Sequence, residues 1–141
     1  MSDRNAIQQY QKVNTQSGIM DASPHQLIAM LINGALSRLS YAKGCIERDD
    51  FAGKGEQLGK GMDIIGGLQG CLDMDAGGEI SANLNALYDY MIRRLTEASL
   101  NNDTDIVDEV ILLLREIKSG WDGIPQQLHQ TKKDQDRKRH V

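Results

Sequence analysis

Aromatic residues, cysteine, proline and long apolar runs are all scarce in this chain of 141 residues. Aromatics make up only 4%, which fits poorly with an aromatic-rich β-sandwich and leaves helices as the better-suited element. The two cysteines, Cys45 and Cys71, form no C-x-x-C pair and sit inside apolar-periodic segments. They read as small buried hydrophobes, without a structural disulfide. No stretch approaches the roughly eighteen apolar residues needed to span a bilayer. The N-terminal MSDRNAIQQY lacks the basic start and apolar run of a secretory leader. These absences predict a cytosolic protein with no stable membrane insertion. Positive charge is also in deficit, because the net charge is -4, which argues against a nucleic-acid-binding surface as the chain's main purpose.

The composition nonetheless supports folding. At 40% apolar and 26% charged, the chain does not match a disordered sequence, and its length is near the mode for one domain. Charge is unevenly spread. Lys132, Lys133, Arg137, Lys138 and Arg139 against Asp134 and Asp136 give the last ten residues a local balance of +3. Residues 126–141 are read as a solvated, disordered basic tail. Glycine is the outlier in abundance: 14 in all, with seven between Phe51 and Asp73.

Four segments carry helical periodicity, at about 24–48, 51–73, 79–100 and 104–120. Ser23-Pro24-His25-Gln26 predicts a capped start with proline at the first helical position. From there Leu27, Leu31, Ala35, Leu39, Ile32 and Leu36 fall within an arc of about 180°. In the second segment Phe51, Leu58, Met62, Ile65 and Leu72 make a core face about 80° wide. Met74 to Gly78 reads as a turn in which two glycines are free to take positive φ. Ile80, Leu84, Leu87, Met91, Leu95 and Ala98 then form the third stripe. Asn101-Asn102-Asp103 breaks the pattern and offers a cap. Ile106, Val110, Leu113, Leu114, Ile117 and Trp121 form the fourth stripe. Short connections between such helices predict an all-α fold, an antiparallel up-down four-helix bundle over residues 23–125. Residues 1–22 carry Ile7, Tyr10 and Val13 on one helical face and are too short and polar to be stable alone, so that segment docks or moves.

Catalytic chemistry finds little support. His25, His129 and His140 are scattered, and none has a second histidine or a cysteine at metal-ligand spacing. His25 reads as a surface residue of a first helical turn. Asp73, Asp75 and Glu79 fail as a calcium loop, because Leu84 falls where the bidentate Glu belongs. Gly77-Gly78 lacks the strand and the basic residue of a phosphate loop. No metal or cofactor is expected.

The second helix is the informative one. Ile64, Leu68 and Cys71 extend its apolar face by a further arc, read equally as a generous core or as a binding groove. On the other flank Gly55, Gly59, Gly66 and Gly70 form a single stripe. Such a stripe admits a close backbone, softens the helix for a guest, or reflects tolerance alone. Each interior glycine costs about 0.5 to 1 kcal/mol relative to alanine, so this helix is intrinsically the least stable.

The run from Ala22 to Leu31 with Gly34-Ala35-Leu36, then Gly77-Gly78-Glu79-Ile80, Asn83-Leu84 and Leu87-Tyr88-Asp89-Tyr90-Met91, resembles the FliS family of flagellar secretion chaperones. Arg94-Leu95 and Glu109-Val110 continue the likeness, which runs from about Tyr10 to Trp121. The resemblance implies a cytoplasmic export chaperone, not an enzyme. It would bind the disordered C-terminal segment of flagellin, prevent premature polymerisation and present the subunit to the flagellar type III export apparatus. Ile64, Leu68, Leu84, Tyr88, Met91, Ile106 and Val110 are the expected client-binding residues. Ile7, Tyr10 and Val13 would form a lid over one pocket, which the export gate could contact. A self-assembling structural bundle is the alternative, and a homodimer is left open. The second-helix glycines depart from what the resemblance implies, since alanine and polar residues are expected there.

Overall fold

A computed structural model describes residues 23–124, and among these it contains four helices and no strand. They are α1 (Pro24–Glu47), α2 (Phe51–Gly70), α3 (Met74–Asn101) and α4 (Thr104–Asp122). Each packs on the next in sequence, and α1 closes the ring against α4. This is the antiparallel up-down bundle that the short connections predict. The tail and the segment bearing Ile7, Tyr10 and Val13 lie outside the described residues.

Local chemistry sets each helix start. Ser23 caps α1 through the Gln26 amide at 3.1 Å, and the Gln26 side chain returns the bond to the Ser23 amide at 2.8 Å. Asp50, Asp73 and Asp103 cap the other three helices through Gly53, Ala76 and Asp105. Asn102 closes α3 in the left-handed conformation. There the Lys54 ammonium donates to the Ser99 carbonyl at 2.9 Å and to Asn102 Oδ1 at 2.7 Å, tying the start of α2 to the end of α3.

The third helix begins before Glu79, because Asp73 supplies its cap. Of the two glycines read as free to take positive φ, Gly78 alone does so, at φ 53° and ψ -125°, which kinks the helix. Gly77 is constrained by space instead: a Cβ there would come within 1.8 Å of Ser81 Oγ, which donates to the Asp73 carbonyl.

The core joins Leu31, Ile32, Ala35 and Leu39 of α1 to Leu58, Ile65 and Leu68 of α2, Met91 and Leu95 of α3, and Val107, Val110 and Leu114 of α4. Burying each large aliphatic side chain contributes about 1.5 to 3 kcal/mol. Four expectations are corrected. Phe51, expected in the core, is 53% exposed in the first turn of α2, and its ring lies against the Lys54 ammonium. Ile80 is 71% exposed beside the Gly78 kink, which turns the start of α3 out of the stripe's register. Cys71 is exposed at the C-cap of α2, while Cys45 is buried as expected. His25 is buried, because its ring stacks on Trp121 at 4.6 Å and its carbonyl accepts from the indole Nε1 at 2.9 Å.

Candidate functional site

The residues predicted to hold a guest divide by depth. Leu68, Tyr88, Met91, Ile106 and Val110 are buried core residues. Ile64 and Leu84 are half-buried and pack against that core from its edge. The apolar arc of α2 is therefore shared. Leu68 completes the core, while Ile64 lines a groove at the α1–α2 seam with Gly34, Ser37, Arg38, Tyr41 and Gln57.

The glycines of α2 explain how that seam closes. Gly61, outside the predicted stripe, is buried where a Cβ would come within 3.0 Å of Leu39 Cδ2 and 3.7 Å of Arg38 Cβ. It is the position that admits α1 closely. Gly55 and Gly59 have nothing within 4 Å of a Cβ, and Gly70 is exposed, whereas Gly66 is buried. The stripe is thus not one packing surface.

Polar side chains brace the other seams. Glu109 of α4 accepts from the Tyr90 hydroxyl at 2.5 Å and from Arg94 Nε at 2.9 Å, both on α3. The Tyr90 hydroxyl and then the Arg94 guanidinium hold the Glu109 carboxyl below the usual carboxylate range, and the same bond raises the Tyr90 phenol. Gln69 Nε2 donates to Asp89 Oδ1 at 2.7 Å and Asn85 Oδ1 at 3.2 Å, linking α2 to α3. Lys43 joins α1 to Asp108 of α4 at 2.9 Å. Burial pushes the Tyr88 phenol up to about 12, with the Cys71 thiol adding to the shift.

Sequence reasoning missed the exposed apolar residues that no stripe contains. Tyr41 is 61% exposed, Leu100 79% and Leu112 58%. A signal existed for Tyr41, which lies about 40° outside the α1 apolar arc on a helical wheel. Among the described residues no group of three His, Cys, Asp or Glu could hold a metal ion. No helix there is long and apolar enough to cross a membrane.

These features define an all-helical bundle with a grooved α1–α2 seam and apolar side chains left on its surface, in which no catalytic or metal-binding constellation stands out among the described residues. The family model described as flagellar protein FliS matches residues 6–128. The flagellar secretion chaperone FliSB of Pseudomonas aeruginosa is 51% identical over 119 residues, covering 84% of this chain and 94% of that protein. Its counterpart FliS from Salmonella typhimurium is 47% identical over 125 residues, 88% and 93% of the two chains. FliS from Bacillus subtilis is 37% identical over 116 residues, 82% and 86%. The chain belongs to the FliS family of flagellar secretion chaperones, a family of chaperones and not of enzymes.

Proposed function

We propose that this chaperone binds the disordered C-terminal segment of flagellin in the cytoplasm, prevents its premature polymerisation and delivers it to the flagellar export gate. The carrying observation is FliS membership across residues 6–128, which spans the whole bundle and its grooved seam. Flagellin's segment would lie along the bundle as amphipathic helix, covering apolar faces that otherwise pair with other subunits. Ordering such a chain is costly, so several spaced contacts must share the binding. Ile64 and Leu84 are the residues a guest reaches first. Leu68, Tyr88, Met91, Ile106 and Val110 form the packed wall behind them. Ile7, Tyr10 and Val13 would act as the lid, displaced when the guest docks.

Size-exclusion chromatography of the chain alone and mixed with flagellin tests this reading. A stable 1:1 complex that is lost when flagellin's C-terminal segment is deleted supports it. Absence of any complex overturns it, and a self-assembled species indifferent to flagellin would favour a structural bundle.

A further inference from the structure

The one tryptophan of the chain joins its two described ends. The Trp121 indole lies against the His25 imidazole, with ring centroids 4.6 Å apart and planes 7° from parallel, and its Nε1 donates to the His25 carbonyl at 2.9 Å. The contact falls in the first turn of α1 and the last turn of α4, so it lies where residues 1–22 join the bundle and residues 125–141 follow it. Its two sides differ in stiffness. On α1, the Ser23–Gln26 box fixes the turn that carries His25, and Ser23 itself is extended, at φ -67° and ψ 160°. The box therefore sets both the direction of the incoming chain and the position of the imidazole. On α4, Trp121 stands between Gly120, where a Cβ would have nothing within 4 Å, and the Gly123 cap. Ser119, Gly120, Asp122 and Gly123 are exposed, and the ion pair of this turn, Lys118–Asp122, stays within the helix. Glycine makes such an end intrinsically weak, so Trp121 is what holds the turn against α1.

We propose that the His25–Trp121 stack is a joint that couples residues 1–22 to the end of α4, so that a client displacing the lid also unlatches Trp121. The inference rests on the reading of residues 1–22 as a client-displaced lid and adds the device that reports its position. Redirecting the incoming chain turns the first turn of α1 with it, because the capping box joins the two. Stacking and the hydrogen bond both engage that one turn, and both depend on alignment, so a rotation that spoils one spoils the other. The joint thus has a closed and an open state, and the client favours the open one. In the open state the indole meets water and α4 frays from Gly120. The departure point of the basic tail then differs between empty and loaded chaperone, a difference that a downstream partner can read.

Trp121 emission reads the joint directly in the full-length chain, titrated with a flagellin free of tryptophan, for wild type, His25→Ala, His25→Phe and Tyr10→Ala. Circular dichroism melting confirms that each variant is folded, and the wild-type titration decides the matter alone if a variant unfolds. The proposal expects wild-type emission to move to the red, and its quenching by acrylamide to rise at least about twofold, in step with complex formation. His25→Ala should emit at the red position without client, stay there on titration, and bind about three- to tenfold tighter, because the closed state no longer competes. His25→Phe keeps a flat ring beneath the indole and the carbonyl that accepts from Nε1, and should restore wild-type emission and affinity. A contact that merely stabilised the bundle would give the opposite sign, weaker binding from the alanine variant. Emission that is unchanged as wild type fills, or an alanine variant that binds no tighter, overturns the joint. Wild type that forms no complex, or a Tyr10→Ala chain that binds as wild type does, removes instead the reading beneath it.

Discussion

Replacing Gly55 and Gly59 together by alanine should stabilise the bundle. Both lie in the interior of α2, and a Cβ at either would have nothing within 4 Å. Each alanine recovers about 0.5 to 1 kcal/mol of helix propensity without a clash to offset it. The two positions lie one turn apart on the same open face, and neither added methyl meets a clash, so the pair should gain about 1 to 2 kcal/mol. For a domain of this size that corresponds to a rise in Tm of roughly 5 to 12 °C. Urea unfolding followed by circular dichroism measures it, with an unchanged m-value showing that the unfolded state is not responsible. Gly61→Ala is the internal contrast. Its Cβ would press on fully buried Leu39 at 3.0 Å, and overpacking costs of about 1 to 3 kcal/mol should outweigh the propensity gain. A double variant no more stable than wild type, or a Gly61→Ala variant as stable as the double, would refute the reasoning.

Other perturbations follow from single contacts. Glu109→Gln should lower stability at neutral pH and reduce its loss on acidification. The depressed carboxyl contributes above the unfolded Glu value and that contribution is lost as pH falls through the folded one, so curves that stay parallel below about pH 5 would count against the Tyr90–Glu109–Arg94 brace. Gly78→Ala places a side chain at φ 53°, ψ -125° and should cost about 1 to 3 kcal/mol by urea unfolding; a neutral result would mean that the kink is not fixed. Tyr88→Phe removes a buried hydroxyl that makes no hydrogen bond among the described residues, so stability should be unchanged or rise by up to about 1 kcal/mol. A clear loss would reveal a partner for that hydroxyl.

Capping and periodicity made most of the fold legible. The Ser23–Gln26 box and the break and cap at Asn101-Asn102-Asp103 are local, and local chemistry is what a sequence displays, although the Asp73 cap went unread. The helical wheel gave the width of each apolar arc but not its position beneath a neighbour. It therefore could not separate Leu68, covered within the core, from Ile64 one turn earlier, which lines the α1–α2 groove. Gly61 was invisible for the same reason: a glycine stripe is an intrahelical pattern, while close approach is decided by Leu39 on another helix. Trp121 was placed on the α4 stripe, yet its bond to the His25 carbonyl joins residues 96 apart and buries a histidine that looked superficial.

That division between Ile64 and Leu68 bears on how a guest is held. If the client stays on the surface seams, trimming a seam residue should weaken it, while reshaping the wall behind should not. Ile64→Ala and Leu84→Ala each remove part of a half-buried side chain, and a loss of about 1 to 2 kcal/mol of contact is roughly a five- to thirtyfold weakening of flagellin binding. Leu68→Met and Met91→Leu change shape at nearly constant volume in a core that tolerates such exchanges for less than about 1.5 kcal/mol. Their affinities should remain within about twofold of wild type. Weakening by the core exchanges equal to that of Ile64→Ala, at unchanged melting temperature, would mean that the guest parts the helices and touches the core itself. The bundle would then be a clamp that opens, and the glycines of α2 would be part of its hinge.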